Sequence, residues 1–204
     1  MTQPVHVIFD WDGTLQDNLE QVVHAIQQVI PNTHVTPQKI NAVGLLPALL
    51  LEHGTSPRHV YKLIRNTPKI RKTLITTSLY KGVCQTLDDL ANENYILSVV
   101  SRNDRRIIEE TLRHHKIRDY FTHIEGVRHK TPVLKKFAKE SACVYVGDEI
   151  SDAIAARNAD VRFVAATYGH TCPHTLYAWE HHYAIDTIND LPHVLKKMYP
   201  PQNH

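Results

Sequence analysis

The sequence lacks the features that mark several large classes of protein. No stretch approaches the run of roughly 20 apolar residues that a membrane-spanning helix needs. The N-terminus shows no basic segment followed by an apolar one, as a signal peptide would. The three cysteines have no CxxC spacing, which argues against a disulfide framework and against a zinc site. These absences predict a cytoplasmic protein with reduced thiols and no membrane partner.

An excess of charge of one sign is also missing. The chain of 204 residues has 23 Lys and Arg against 21 Asp and Glu, which gives a formal net charge of +2. A nucleic-acid-binding protein would concentrate basic residues on one surface, so we expect no nucleic-acid partner. With 42% hydrophobic residues, the chain can bury one core and a smaller appended unit. A monomer or a weak homodimer is the expected state.

Short apolar stretches alternate with amphipathic segments over most of the chain. Such alternation is typical of an α/β fold in which a mostly parallel sheet is covered by helices on both faces. Strands are expected at Val5–Phe9, Tyr95–Val100, Phe121–Ile124, Cys143–Val146 and Val161–Ala166. Helices are expected over residues 83–92, 105–114, 132–140 and 151–158.

One block interrupts this alternation. From Leu15 to Ile30, apolar residues recur at three- and four-residue spacing, as on an amphipathic helix. Thr36-Pro37 and Ser56-Pro57 then resemble helix N-termini, with a capping side chain followed by proline. Residues from about 16 to 80 are therefore expected to form a helical block without a convincing strand.

Polar side chains follow the predicted strands at the point where each strand ends. Asp10 and Asp12 follow the first strand, Ser101 follows the second and Asp148 follows the fourth. In a parallel sheet, ligands bind beyond the carboxyl ends of the strands. We therefore expect these four residues to line one edge of the sheet.

The residue types at this edge suit phosphoryl transfer. Of two carboxylates so close together, one can attack phosphorus and the other can move protons to and from oxygen. Both would repel a phosphoryl group, so a cation is needed, and Asp148 with the nearby Asp152 offers the hard oxygen ligands that Mg²⁺ prefers. Lys130 can balance charge on the reacting groups. Taken singly, each residue has an ordinary alternative, such as a turn aspartate, a helix cap or a solvated lysine.

Four segments of the chain share the order of a known set of motifs. Asp10–Leu15 matches Asp-x-Asp-Gly-Thr-Leu, and Ser101 after its strand is similar to the second motif. Lys130–Pro132 is similar to the third, with one proline missing, and Gly147–Asp152 with Ala155–Ala159 is similar to the fourth. By these motifs the sequence resembles the haloacid dehalogenase-like superfamily of hydrolases, in its phosphoglycolate phosphatase-like branch.

The resemblance implies a fold and a division into domains. It implies a Rossmann-like three-layer core with a mostly parallel sheet, formed by residues 1–15 and 81–204. It also implies a small α-helical cap inserted as residues 16–80. The sequence departs from the common pattern at Trp11, at Asp17–Asn18, where many members have Asp-Ser, and at Thr131. None of these departures removes a catalytic group.

The resemblance also implies roles for the residues at the sheet edge. Asp10 would be the nucleophile and a metal ligand, and Asp12 the general acid/base and a ligand through its backbone carbonyl. Asp148 would be the further ligand of a catalytic Mg²⁺, and Asp152 would orient Lys130 or lie just outside the ligands. The expected catalytic residues are Asp10, Asp12, Ser101 and Lys130, and the residues expected to bind substrate are Ser101, Arg102, Asn103 and Lys130.

The predicted function is a magnesium-dependent phosphatase that forms an aspartyl-phosphate on Asp10. Dehalogenation is disfavoured, because enzymes of that branch lack the second aspartate of the first motif. The substrate would be a small phosphorylated metabolite, with phosphoglycolate ahead of sugar phosphates, pyridoxal phosphate and nucleoside monophosphates. A phosphosugar mutase of the same fold and a non-catalytic binding or regulatory module are the alternatives.

Overall fold

The computed structural model describes residues 4–30, 34, 36, 73–177 and 183–200. Most of the cap predicted over residues 16–80 lies outside the described residues, including Pro37 and the helix start predicted at Ser56-Pro57. The described part of that segment contains one complete helix, α1 (Leu19–Val29). The division into a core and a cap therefore stays a prediction.

Six parallel strands form a single sheet in the order β3-β2-β1-β4-β5-β6. Their order places the N-terminal strand in the interior, where it pairs with β2 on one side and with β4 on the other. The strands are β1 (His6–Phe9), β2 (Ile96–Ser101), β3 (Phe121–Gly126), β4 (Cys143–Gly147), β5 (Arg162–Ala166) and β6 (Tyr183–Ile185).

Helices connect successive strands, as the alternating pattern predicts. After α1, the helices with both ends among the described residues are α2 (Val83–Asn92), α3 (Arg105–His114), α4 (Thr131–Ala138), α5 (Ile150–Asn158), α6 (Pro173–Tyr177) and α7 (Leu191–Met198). Short 3₁₀ turns occur at Arg118–Tyr120 and Ile188–Asp190. No helix among the described residues is long and apolar enough to cross a membrane.

The core has two clusters of buried side chains. Val7 and Phe9 of β1 belong to one cluster, whereas Ile8 between them belongs to the other. Because successive side chains of a strand point to opposite faces, the two clusters lie on the two faces of the sheet. This arrangement of helix, sheet and helix confirms the predicted α/β, Rossmann-like fold.

The strand register brings the predicted site residues together. Phe9 is paired with Val99 on β2 and with Val146 on β4. Asp10 follows Phe9, and its backbone N–H donates to the carbonyl of Val146 at 2.9 Å. The point between β1 and β4 is also where the strand order reverses direction, and crevices for ligands form at such points.

Candidate functional site

The turn after β1 carries Asp10 and Asp12 and packs directly on the loop after β4. Gly13 in this turn has a φ of +77°, a conformation that glycine adopts without the strain that a Cβ atom would cause. A Cβ atom at this position would lie 2.1 Å from Oδ2 of Asp148. The glycine is therefore required both by the backbone conformation and by the close approach of the Asp148 carboxylate.

Lys130 joins two buried carboxylates at the centre of the site. Its Nζ lies 2.8 Å from Oδ2 of Asp10 and 2.5 Å from Oδ1 of Asp152. All three side chains are at most 7% exposed. Tyr145 adds a hydrogen bond from its hydroxyl to Oδ1 of Asp152 at 3.2 Å. A buried charge is stable only when it is paired, so this ion-pair network holds Asp10 in one position.

A third buried carboxylate, that of Asp148, lies beside Asp10 and Asp152. Oxygens of these three carboxylates lie within 4.8 Å of one another. The hydroxyl of Thr14 donates to Oδ1 of Asp148 at 2.9 Å, and the backbone N–H of His170 donates to Oδ2 at 2.8 Å. These two donors fix the orientation of Asp148.

The carboxylate cluster carries more negative charge than its protein partners balance. Burial, followed by repulsion from Asp10 and Asp152, raises the pKa of Asp148 well above its ordinary value. Burial also raises the pKa of Asp152 to about 6, although Lys130 opposes this change. For Lys130, burial alone would lower the pKa, but the carboxylates of Asp10 and Asp152 raise it above its ordinary value. An added cation would relieve the remaining repulsion.

One oxygen of the cluster has no hydrogen-bond partner among the described residues, namely Oδ1 of Asp10, although it is buried. A buried acceptor without a partner is unfavourable and indicates a place for a ligand. Oxygen ligands from several carboxylates are those that Mg²⁺ prefers. The donor set therefore fits a hard divalent cation.

Asp12 lies in a different environment from Asp10. Its carboxylate accepts hydrogen bonds from two side-chain amides, that of Asn18 and that of Asn103, the latter at 2.9 Å to Oδ2. Burial, with a further contribution from Asp10, raises the pKa of Asp12 to about 6, and the two amides oppose this rise. A carboxyl with such a pKa can carry a proton near neutral pH and release it, as a general acid/base must.

The end of β2 and the loop that follows it bring three further predicted residues to the site. Ser101 is buried, and its hydroxyl oxygen accepts from the backbone N–H of Asn103 at 3.3 Å. Arg102, predicted to bind substrate, instead forms an ion pair with Glu149, and its side chain is 52% exposed. Asn103 contacts Asp12, as described above. The assignment of these three residues to substrate binding stays a prediction.

Several residues that shape the site were not among those predicted from the sequence. Thr14 and the backbone of His170 hold Asp148, Tyr145 contacts Asp152, and Asn18 contacts Asp12. Thr14 belongs to the first motif, so the motif itself offered a signal. Nothing in the local sequence indicates the contact of Tyr145 or that of Asn18, because both depend on how distant segments pack.

Comparison with known families identifies the chain. Residues 7–166 match the model of the family described as haloacid dehalogenase-like hydrolase. The chain belongs to the haloacid dehalogenase-like hydrolases. The matched range includes every predicted site residue, from Asp10 to Asp152.

Related haloacid dehalogenase-like proteins cover nearly the whole chain. A phosphoglycolate phosphatase of Synechococcus elongatus is 29% identical over 202 residues, covering 91% of this chain and 94% of the relative. The pyrophosphatase PpaX of Bacillus mycoides is 22% identical over 221 residues, covering 94% of this chain and 97% of the relative. The predicted family is therefore confirmed, and the likeness to a phosphoglycolate phosphatase agrees with the predicted branch of that family.

Solved structures agree with the fold of the haloacid dehalogenase-like hydrolases. A predicted phosphoglycolate phosphatase from Haemophilus somnus superimposes with a TM-score of 0.78 at 20% identity, covering 96% of this chain and 99% of that one. A haloacid dehalogenase-like family protein from Streptococcus pneumoniae gives a TM-score of 0.78 at 17% identity, covering 96% and 100%. At such identities the likeness establishes the fold alone.

Proposed function

We propose that the protein is a magnesium-dependent phosphatase that hydrolyses a small phosphorylated metabolite through an aspartyl-phosphate on Asp10. The observation that carries this proposal is the state of Asp10. Its Oδ2 is paired with Lys130, whereas its Oδ1 is buried without a partner beside two further carboxylates. A carboxylate so held is oriented for attack and is surrounded by groups that can bind a cation.

In the first step, a carboxylate oxygen of Asp10 forms a bond to phosphorus while the bond from phosphorus to the ester oxygen breaks. Asp12 gives its proton to that oxygen, and the alcohol leaves. Lys130 offsets negative charge on Asp10 and on the transferring group. The hydroxyl and backbone N–H of Ser101 are the proposed donors to a phosphoryl oxygen.

In the second step, water attacks the phosphorus of the aspartyl-phosphate. Asp12, now ionised, accepts a proton from this water, and the bond between phosphorus and the Asp10 oxygen breaks. Inorganic phosphate leaves, and both aspartates return to their initial states. The amides of Asn18 and Asn103 hold the carboxylate of Asp12 in place, so that this one group can carry out both proton transfers.

Asp10, Asp148 and the backbone carbonyl of Asp12 are the proposed ligands of Mg²⁺. When bound, the ion neutralises charge on the phosphoryl oxygens and so lets the anionic substrate approach the carboxylates. Asp152 bonds Lys130 at 2.5 Å, which favours the proposal that it orients this lysine.

Phosphoglycolate is the leading candidate substrate, because the relative from Synechococcus elongatus is named a phosphoglycolate phosphatase and aligns with most of this chain. The names of other relatives make inorganic pyrophosphate the second compound to test. Sugar phosphates, pyridoxal phosphate and nucleoside monophosphates complete the panel. The cytoplasm remains the proposed location.

The test is release of phosphate from p-nitrophenyl phosphate and from this panel, with Mg²⁺ and with EDTA. The wild type is compared with Asp10→Asn and with Asp160→Asn, which makes the same substitution at an exposed turn. We expect Mg²⁺-dependent release that falls by a factor of about 10⁴ or more in Asp10→Asn, because the nucleophile is lost. The Asp160→Asn control should retain full activity.

Acid quenching during turnover with a ³²P-labelled substrate would detect the aspartyl-phosphate. We expect label on the wild type and none on Asp10→Asn. Absence of release from a folded, Mg²⁺-saturated wild type would contradict the proposal and favour a binding module. Formation of a phosphorylated isomer of a sugar phosphate, without release of phosphate, would instead indicate the mutase.

A further inference from the structure

Asn18 occupies the position just before the first residue of α1. An asparagine at this position normally accepts a hydrogen bond from a backbone N–H of the first helical turn. The side chain of Asn18 makes no such bond. Its amide Nδ2 instead donates to Oδ1 of Asp12. Asn18 is therefore of a residue type that caps helices, but its side chain donates its hydrogen bond to the carboxylate of Asp12.

The orientation of Asn18 leaves one of its own atoms unsatisfied. The residue is only 2% exposed, and its Oδ1 is buried without a partner among the described residues. A buried amide oxygen without a partner is unfavourable. Since this orientation is nevertheless adopted, the contacts made by Nδ2 determine how the side chain is placed.

A second buried amide, that of Gln16, supports Asn18. Oε1 of Gln16 accepts from Nε1 of Trp11 at 2.9 Å and from Nδ2 of Asn18 at 3.4 Å. Nε2 of Gln16 donates to the backbone carbonyls of Leu74 at 2.6 Å and of Thr77 at 3.3 Å. The network therefore joins the segment that leaves β1 to the segment that leads back to α2, and it ends at Asp12.

We propose that Asn18 is a positioning residue for the general acid/base, acting through its hydrogen bond to Asp12. Asn103 contacts the same carboxylate from the loop after β2, so the two amides hold it from two different elements. Gln16 and Trp11 fix the Asn18 amide in turn. This inference rests on the proposed function, since it assumes that Asp12 protonates the leaving oxygen.

The proposal makes a prediction about leaving groups. A p-nitrophenolate ion departs readily without a proton, whereas the alkoxide of an alkyl phosphate needs one. The ratio kcat/KM reports the steps up to loss of the leaving group, before the aspartyl-phosphate is hydrolysed. Misplacing Asp12 should therefore reduce kcat/KM strongly for an alkyl phosphate and weakly for p-nitrophenyl phosphate.

The test compares kcat/KM for p-nitrophenyl phosphate with that for the best alkyl phosphate of the panel, in Asn18→Ala and in Asn18→Leu. The leucine fills the volume of the amide, so it tests the donor with little change in packing. We expect a loss of about 10- to 100-fold for the alkyl phosphate and of less than about 3-fold for p-nitrophenyl phosphate. The control Asn92→Ala, at the exposed end of α2, should behave as the wild type.

A double variant tests whether Asn18 acts through Asp12. In the Asp12→Asn background, Asn18→Leu should cause no further loss of kcat/KM, because the carboxylate on which it acts is gone. Equal losses for both substrates, or a further loss in that background, would overturn this proposal alone. A folded wild type that is inactive on every substrate would overturn the proposed function together with it.

Discussion

Asp10 and Asp12 lie two residues apart, but their surroundings differ in chemistry. Asp10 lies among charged side chains, because Lys130 forms an ion pair with it and a second ion pair with Asp152. Asp12 belongs to a region of neutral amides, supplied by Asn18 and Asn103. An ion pair with an ammonium group fixes a buried carboxylate more firmly than hydrogen bonds from neutral amides do. The comparison teaches how one short turn can provide a fixed nucleophile and a titrating acid.

The largest effect on stability and activity is expected when the charge on Lys130 is removed. In Lys130→Met, Asp10 and Asp152 are left as buried carboxylates without a cation. We expect the free energy of unfolding to fall by about 3–5 kcal/mol in metal-free protein, as measured by urea denaturation. Activity should fall by a factor of about 100 or more, because the charge on the nucleophile is no longer balanced.

Lys135→Met is the matched control for this experiment, because Lys135 is exposed on α4, the helix that Lys130 directly precedes. It should change the free energy of unfolding by less than about 0.5 kcal/mol. A stable Lys130→Met variant with normal activity would show that the ion-pair network is dispensable.

The pH dependence of stability should separate Asp12 from an ordinary surface carboxyl. Its folded-state pKa of about 6 lies above the ordinary value of 3.8, so the folded protein retains this proton at pH values where the unfolded chain has lost it. The stabilisation is fully present below the unfolded-state pKa and is lost as pH rises through about 6. We expect the wild type to lose about 3 kcal/mol relative to Asp12→Asn over this interval.

The measurement is urea denaturation of both proteins in EDTA at several pH values between 4 and 7. The variant cancels the contributions of Asp148 and Asp152, which the two proteins share. Parallel stability curves would mean that the pKa of Asp12 is ordinary in the folded protein.

Removing one of the two amides that contact Asp12 should change the pKa of this carboxyl. In Asn103→Ala, the carboxylate of Asp12 loses a hydrogen bond that favours its ionised form. We expect the pKa of Asp12 in metal-free protein to rise further above about 6, because burial then acts with less opposition. Carboxyl-carbon NMR titration measures this change.

The exposed pair of Gln85 and Asp89 on α2, joined at 2.8 Å, provides the control. Gln85→Ala should leave the titration of Asp12 unchanged, since it removes an amide that lies in solvent. A fall in the pKa of Asp12 in Asn103→Ala would contradict the role assigned to the amide.

The smallest effect is expected at Tyr145. Its hydroxyl donates to the carbonyl of Val100 at 2.9 Å and contacts Asp152. In Tyr145→Phe, the ring remains and the hydroxyl is lost, so we expect destabilisation of about 1 kcal/mol with activity within a few-fold of the wild type. Thermal unfolding and the phosphatase assay measure the two quantities. A loss of activity as large as that of Lys130→Met would show that Tyr145 takes part directly in the reaction.

The parts of the fold with strong local signals could be predicted from the sequence. The apolar run Val5–Phe9 predicts β1, which begins one residue later, at His6. The amphipathic pattern over Arg105–His114 predicts α3, and the structure reproduces both of its bounds. The patterns used for prediction end at Ala166, and β6 lies beyond them. With only three residues, Tyr183–Ile185 carries little periodicity, and its place is set by pairing with β5.

The site could be predicted where a motif carries the information. Lys130 is far from Asp10 in the chain, and the set of motifs, not the sequence around either residue, predicts that the two lie in one site. Arg102 is predicted to bind substrate, and its guanidinium also pairs with Glu149, a contact that no local pattern contains. The local sequence predicts that Asn18 caps a helix. Its contact with Asp12 depends instead on distant segments that pack around Gln16.

The interior position of β1 has a consequence for how the chain assembles during synthesis. His6 pairs with Ile96 on one side and with Cys143 on the other. β1 leaves the ribosome before β2 and β4, and it therefore acquires its second neighbour only after β4 has been made. Contacts between distant residues slow folding, and an unpaired apolar strand is exposed to aggregation while it waits. The residues that meet at the nucleophile can thus come together only after the chain has been made as far as Asp152.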